Sequence, residues 1–307
     1  MVADRHTFTS VCVYRRDRVF VSAVSDALID EGNEDHALIF RWQNQQWTHW
    51  PIANGVGGIA FVESPTPKIM CMGIDGEISL LKAMPLDTES VDRSEDGPSD
   101  LLHLKCIRPI GQHVYVAGMG RHVYRRVGAN NWQAIDQGVF APRAQRDRAV
   151  GFNAIDGTAD SAIYAVGYQG EIWFYDGKTW AQQDSPTNVA LTCVRCLPDG
   201  NVYVGGMAGT LMRGRAGQWE SILHDTTDED FWGMAIFNSR IYVANYHGVF
   251  VLEGDVLTSV ELRLPRDGVE LSTAYLDAND GVLWSVGQKD LAYSEDGVRW
   301  VEVSRPN

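Results

Sequence analysis

Few residues in this chain have the types and spacing that chemistry needs. Cys193-Val194-Arg195-Cys196 has the Cys-x-x-Cys spacing that serves dithiol redox chemistry or half of a zinc site. Both uses require the two thiols to converge. On a β-strand, positions three apart point to opposite faces, so these would diverge. With Cys12, Cys71 and Cys106 the total is five, an odd number that argues against a disulfide framework. Asp277-x-Asn279-Asp280-Gly281 has the opening letters of a calcium loop but lacks the distal Glu that closes one. The eight histidines, among them His122 and His247, show no ligand spacing. No Gly-x-Ser-x-Gly, His-Glu-x-x-His, P-loop or dinucleotide glycine motif occurs. The expectation is a protein without metal, cofactor or catalytic centre.

What the chain has in excess is carboxylate. Its formal net charge is −14, and three short segments account for it. Residues 25–36 contain Asp26, Asp30, Glu31, Glu34 and Asp35. Residues 87–100 contain Asp87, Glu89, Asp92, Glu95, Asp96 and Asp100. Residues 224–230 contain Asp225, Asp228, Glu229 and Asp230. These segments hold fifteen acidic residues and one basic residue, which leaves the rest of the chain balanced at twenty-five of each. Charge of one sign gathered in loops keeps a protein soluble. It also focuses a field that steers a partner of opposite charge. A basic stripe for nucleic acid is missing. One loop runs the other way: Phe140-Ala141-Pro142 leads into Arg143, Arg146 and Arg148, an aromatic beside arginines, as interface cores favour.

The elements that must position these loops are written in a repeat. Val114 to Gly118 leads to Trp132, Ile163 to Gly167 leads to Trp180, Val202 to Gly206 leads to Trp219, and Val282 to Gly287 leads to Trp300. Each is an apolar-aromatic strand ending in Gly, with Trp thirteen or fourteen residues later. Weaker copies end at Gly73 with Leu86 and at Asn245 with Leu257, and a first copy runs from Val19 to Ala23 with Trp47. A period near ~40 with strand content predicts an all-β, WD40-like propeller of four-stranded antiparallel blades. Seven blades are expected, at about 7–52, 55–92, 100–136, 149–186, 188–224, 231–263 and 270–304, within a single domain, residues 1–307. The terminal Gly is expected to let the chain reverse into the third strand, with Asn245 tolerated because Asn also visits left-handed backbone. The chain begins on an inner strand and ends on an outer one. The first and last blades should therefore each be contiguous, and should join through apolar packing.

Two hairpins carry a family resemblance. Ser294-Glu295-Asp296-Gly297-Val298-Arg299-Trp300 and Tyr175-Asp176-Gly177-Lys178-Thr179-Trp180 resemble degenerate Asp-box hairpins of the sialidase-like, BNR-repeat and Ycf48-like propellers. In those proteins the hairpin is structural, so the resemblance implies the fold and no activity. The spacing is one residue short of the family's, and Ile107-Arg108-Pro109 does not match the sialidase Phe-Arg-Ile-Pro segment.

Topology then places the acidic segments. One joins the second and third strands of blade 1, and the other two join one blade to the next. In a propeller both kinds of connection emerge on one face. The partner-binding residues expected there are Asp30, Glu31, Glu34, Asp35, Glu95, Asp96, Phe140, Arg143, Arg146, Arg148, Tyr168, Asp228, Glu229, Asp230, Tyr246 and His247. Of Phe231 and Trp232, which open an inner strand, one should pack inward. An acidic propeller without a catalytic motif is similar, in a general way, to the immunity proteins that neutralise bacterial toxins. That likeness implies a basic protein partner, such as a toxin or nuclease whose cleft the carboxylates would fill. A scaffold subunit uses the same features, and a glycosidase or lyase would need two positioned carboxyl groups. The start of the chain is polar and lacks an apolar signal core, and no apolar run approaches a membrane span, so a cytoplasmic protein with no membrane or direct nucleic-acid contact is expected.

Overall fold

In the computed structural model, residues 6–31, 36–63, 66–82, 84–98, 102–142, 150–262 and 271–306 are described. They form a seven-bladed β-propeller of four-stranded antiparallel sheets, with strands in sequence order in every sheet. The strands of the blades span 6–52, 56–90, 104–134, 152–183, 191–221, 233–260 and 275–302. The chain divides into two compact units: Met1–Ile59 with Leu223–Asn307, and Ala60–Ile222. The first carries blades 1, 6 and 7. The second carries blades 3 to 5 and all but the opening of blade 2.

Along strands such as His113–Gly118 and Val282–Val286 burial runs almost without a break, because both faces of these strands are covered. The core therefore lies between blades. In the first unit Phe8, Val21 and Phe40 of blade 1 meet Trp284, Val286 and Leu291 of blade 7. In the second, Met70 and Ile78 of blade 2 meet Leu104 and Val116 of blade 3. The repeated Trp opens the outer strand and packs into the cluster shared with the preceding blade. Trp47, Trp132, Trp180, Trp219 and Trp300 all do so. In three cases the indole N–H also reaches that blade. Trp180 Nε1 donates to the Ile135 carbonyl at 2.7 Å, Trp132 Nε1 to Glu89 Oε2 at 3.1 Å, and Trp47 Nε1 to the Ser304 carbonyl at 2.7 Å.

The repeated Gly has a different reason from the one expected. Gly118 and Gly167 are not in left-handed backbone. A Cβ at Gly118 would run into the carbonyl oxygen of His103, and one at Gly167 into that of Gly151. The chain entering the same blade crosses these positions, so what the Gly supplies is close backbone approach.

The first and last blades are contiguous, as expected; residues 1–5 lie outside the described set. Their junction is more than apolar. Phe8 N donates to the Gln288 carbonyl at 3.0 Å, and Val13 N to Asp277 Oδ2 at 2.7 Å. Lys289 Nζ donates to Asp26 Oδ2 at 2.6 Å and to Thr7 Oγ1 at 2.7 Å. Asp277 and Asn279, which had the letters of a calcium loop, spend their side chains on this seam: Asn279 Nδ2 donates to the Tyr14 carbonyl at 3.0 Å.

The Cys-x-x-Cys pair lies on an inner strand, Leu191–Cys196, with Cys193 buried and Cys196 half-buried. Both thiols are unpaired by disulfide, and burial pushes both up from the ordinary thiol value. They stay protonated near neutrality and are poor nucleophiles.

Candidate protein-binding surface

The described loop residues fall into two groups, one in each unit. In the first unit the link into blade 6, residues 223–232, carries the acidic run. Asp228 and Glu229 are exposed, and Asp230 is half-buried. Thr227 shapes this turn: its hydroxyl accepts a hydrogen bond from Glu229 N at 3.1 Å. The neighbouring turn between the second and third strands of blade 6 presents Tyr246 and His247 at its tip, both exposed. The Tyr246 hydroxyl is raised from its ordinary value by burial of the ring and by the nearby charge of Asp230. Its ring lies 5.6 Å from that of Trp232, tilted by 39°. Phe231 is the aromatic that turns inward, fully buried against Phe250. Leu223, at the start of the link, is 88% exposed.

In blade 1 of the same unit, Asp30 ends a short helix, Asp26–Asp30, and Glu31 follows it; both are exposed. Asp26 is not available as surface charge. Burial alone would raise its carboxyl, but Lys289 and Thr7 outweigh this and hold it below the usual value. Glu34 and Asp35 lie outside the described residues.

In the second unit the loop face is built differently. Of the acidic segment 87–98, only Glu95 and Asp96 project from the link beyond the sheet as exposed side chains with no structural task shown. Asp87 pairs with Lys82. Glu89 is buried and grips Arg126 through two bonds, Nε to Oε2 at 2.8 Å and the terminal nitrogen to Oε1 at 2.6 Å. Burial would push the Glu89 carboxyl up, yet Arg126 outweighs it and leaves it below the usual range. Asp92 caps its own turn by accepting from Ser94 N at 2.8 Å, and it accepts from the Tyr124 hydroxyl at 3.1 Å.

Behind Asp92 lies a constellation that sequence reading missed. His122, 2% exposed, is stacked between Tyr124 and Phe140, with ring centroids at 5.3 and 4.6 Å. Its Nδ1 lies 3.1 Å from Asp136 Oδ2 and 3.2 Å from the Tyr124 hydroxyl. Phe140, expected at the surface as an aromatic contact, is thus half-buried as the lid of this stack. Asp136 also starts the turn beneath it, its carbonyl accepting from Val139 N and Phe140 N at 3.0 Å each. Arg143, Arg146 and Arg148 continue from this turn and lie outside the described residues. Beside it, Arg121 Nε donates to Glu171 Oε2 at 2.7 Å and the guanidinium covers the Trp173 ring at 5.4 Å. Glu171 is buried and also accepts from Gly151 N and Trp173 Nε1. Tyr168 is half-buried in the single turn preceding Glu171. Glu171, met by Arg121 and two N–H donors, ties blade 4 to blade 3, and Glu89, met by Arg126, ties blade 2 to blade 3.

These features define a WD40-like propeller whose loops carry exposed carboxylates and aromatic tips. No family model matches the chain. It is 36% identical over 304 residues to the immune protein Tsi7 of Pseudomonas aeruginosa, covering 96% of each chain, and it belongs to that protein's family. Among solved structures it superposes on the WD40 β-propeller domain of Doa1 with a TM-score of 0.70, at 10% identity over 96% of both chains. It matches Sqt1 of Saccharomyces cerevisiae with a TM-score of 0.61, also at 10% identity, over 95% of this chain and 83% of that one. At such identity these two show the fold alone.

Proposed function

We propose that this protein is an immunity protein: it binds a basic toxin, with a nuclease as the toxin class whose cleft carboxylates fit best, and neutralises it in the cytoplasm without catalysis. The observation that carries the reading is the loop pair of blade 6, where exposed Asp228 and Glu229 stand with the exposed tip Tyr246–His247. Carboxylates at a rim attract a cationic partner and raise the encounter rate. An exposed tyrosine on a firm turn supplies contact area at low entropic cost. Glu95 and Asp96 add charge of the same sign from the second unit. Membership of a family that includes an immune protein supports the same reading.

The experiment is capture of the bound partner from the native host, followed by expression of that partner in a sensitive cell with and without this protein. The expected result is a polypeptide of basic isoelectric point whose toxicity co-expression abolishes. A partner of acidic charge, or toxicity that persists at equal expression, sinks the proposal.

A further inference from the structure

Asn245 occupies the position where the other recognisable blades 2 to 5 and 7 have Gly73, Gly118, Gly167, Gly206 and Gly287. In blades 3, 4 and 5 the residue after the Gly donates to a carbonyl of the chain entering that blade: Met119 N to His103, Tyr168 N to Gly151, and Met207 N to Ala190. That crossing leaves no room for a Cβ at Gly118 or Gly167. In blade 6 the link takes another course. Trp232 N donates to the Ala244 carbonyl at 2.9 Å instead, and a full side chain fits at 245.

That side chain is 1% exposed, and both ends of its amide are used. Nδ2 donates to Thr227 Oγ1 at 3.2 Å, in the acidic link. Oδ1 accepts from His247 N at 2.9 Å, in the aromatic turn. Its backbone is fixed as well: N donates to the Gly248 carbonyl at 3.1 Å, and its carbonyl accepts from Thr273 Oγ1 at 2.7 Å. Thr227 Oγ1 in turn holds Glu229 N. One buried amide thus connects Glu229 to His247. Two loops that would otherwise sample positions independently are held as one surface. Ordering them before binding removes that cost from the association.

We propose that Asn245 is a positioning residue for partner binding, which ties the acidic link 227–230 and the Tyr246–His247 tip into one preformed epitope for a cationic segment of a protein partner. This rests on the docking reading above. The occupant follows from charge: the link presents Asp228 and Glu229 exposed, so the segment that seats on it is rich in Arg or Lys.

The test uses the whole protein, Asn245→Gly and Thr227→Val to cut the bridge from either end, and Thr227→Ser as the conservative control. Asn245→Gly restores the residue the other blades carry. Amide hydrogen exchange is read residue by residue, and binding is measured with a hexa-arginine peptide at low salt. Each cut removes one acceptor outright, that of His247 N in Asn245→Gly and that of Glu229 N in Thr227→Val. The amide across the bridge, Glu229 in the first variant and His247 in the second, should quicken by about fivefold as well, the loss of one ordinary hydrogen bond. The strand amides of Val243 and Phe250 should keep their rates. Peptide affinity should fall by about fivefold if that ordering is lost from the bound state. Thr227→Ser should match the parent in both readouts. Faster exchange throughout blade 6 would reduce Asn245 to a structural residue and overturn the proposal. So would unchanged exchange at the amide across the bridge, or cut variants that bind the peptide as the parent does. If the parent itself binds no hexa-arginine, the docking reading fails first and takes this proposal with it.

Discussion

The loop faces of blades 3 and 4 and of blade 6 use the same residue types for opposite ends. Around blades 3 and 4 the acidic side chains are drawn in. Glu171 is held by Arg121, Asp136 lies against His122, and Glu89 of blade 2 is clasped by Arg126. Around blade 6 Asp228 and Glu229 stand out in solvent, and the buried polar group behind them is a neutral amide, Asn245. A carboxylate clamped inside a blade interface specifies geometry and is lost to a partner. One carried on a loop that a neutral amide positions keeps its charge for recognition. Acidic content alone does not separate the two; the burial of each group does.

The sharpest way to break this comparison is to remove one side of a clamp. Arg126→Ala should strand the buried Glu89 carboxylate and lower stability by about 3–5 kcal/mol, read from the urea midpoint. Replacing both, with Glu89→Leu and Arg126→Met, should recover most of the loss, because an apolar pair of similar volume escapes the desolvation penalty. If the single change costs no more than a surface substitution, the pair is not a clamp.

The clamps should also make the protein acid-labile. Glu89, Asp26 and Asp290 all sit below their ordinary carboxylate values. In each case burial opposes the shift, and it is outweighed by Arg126 for Glu89, by Lys289 and Thr7 for Asp26, and by Ser272 and Arg305 for Asp290. A folded-state value below the unfolded one contributes stability that is fully present above the unfolded value of about 4. That contribution is lost as pH falls through the depressed folded values. Melting temperature should therefore be level from neutrality down to about pH 5 and then decline, with a shallower decline in the Glu89→Leu, Arg126→Met double variant. A curve that declines already between pH 8 and 6 would point to histidines instead.

Much of this architecture could be read from sequence, because the repeat is local. The Gly-to-Trp interval encodes a third strand, a hairpin and the outer strand that follows, all paired within one blade, so the count of seven and the place of each Trp follow from it. The clamps could not be read, because their partners are far apart in the chain. Arg126 and Glu89 are 37 residues apart and Arg121 and Glu171 are 50 apart, so each spans a blade and leaves no local pattern. His122 was hidden for another reason: its partners Tyr124, Asp136 and Phe140 are near it in the chain, but the four match no ligand or catalytic motif. Gly118 was legible as a required glycine, while its cause, the His103 carbonyl crossing above it, was not. Asn245 looked like a conservative exchange in left-handed backbone, whereas it works through its side chain.

On the blade 6 side the larger expected effect is on the lifetime of the complex. Tyr246 has its ring supported by Trp232 and its backbone carbonyl held by Thr273 N at 3.2 Å. Tyr246→Ala should raise the dissociation rate of the captured partner by roughly 30-fold, about 2 kcal/mol, if it is a central contact. The association rate should change little. A dissociation rate within a factor of two of the parent's would move the centre of the interface elsewhere.

The smallest effect on the fold, and the most informative about charge, is expected from reversing the acidic link. The variant Asp228→Lys, Glu229→Lys should leave the urea midpoint nearly unchanged, within about 0.5 kcal/mol for exposed loop positions. Its signature belongs to kinetics. Steering acts before contact, over about 8–10 Å at ordinary salt, so the association rate should fall while the dissociation rate changes less. For the parent the association rate should drop steeply between 20 and 500 mM salt, as the ions screen the same field, whereas for the variant the curve should flatten or invert. The same experiment on Glu95→Lys, Asp96→Lys asks whether the second unit contributes charge to the encounter at all. If both variants associate as fast as the parent at low salt, and the parent's rate is itself indifferent to salt, the exposed carboxylates are only solvating. Binding would then rest on the aromatic tip, and the difference between the two loop faces would lie in packing alone.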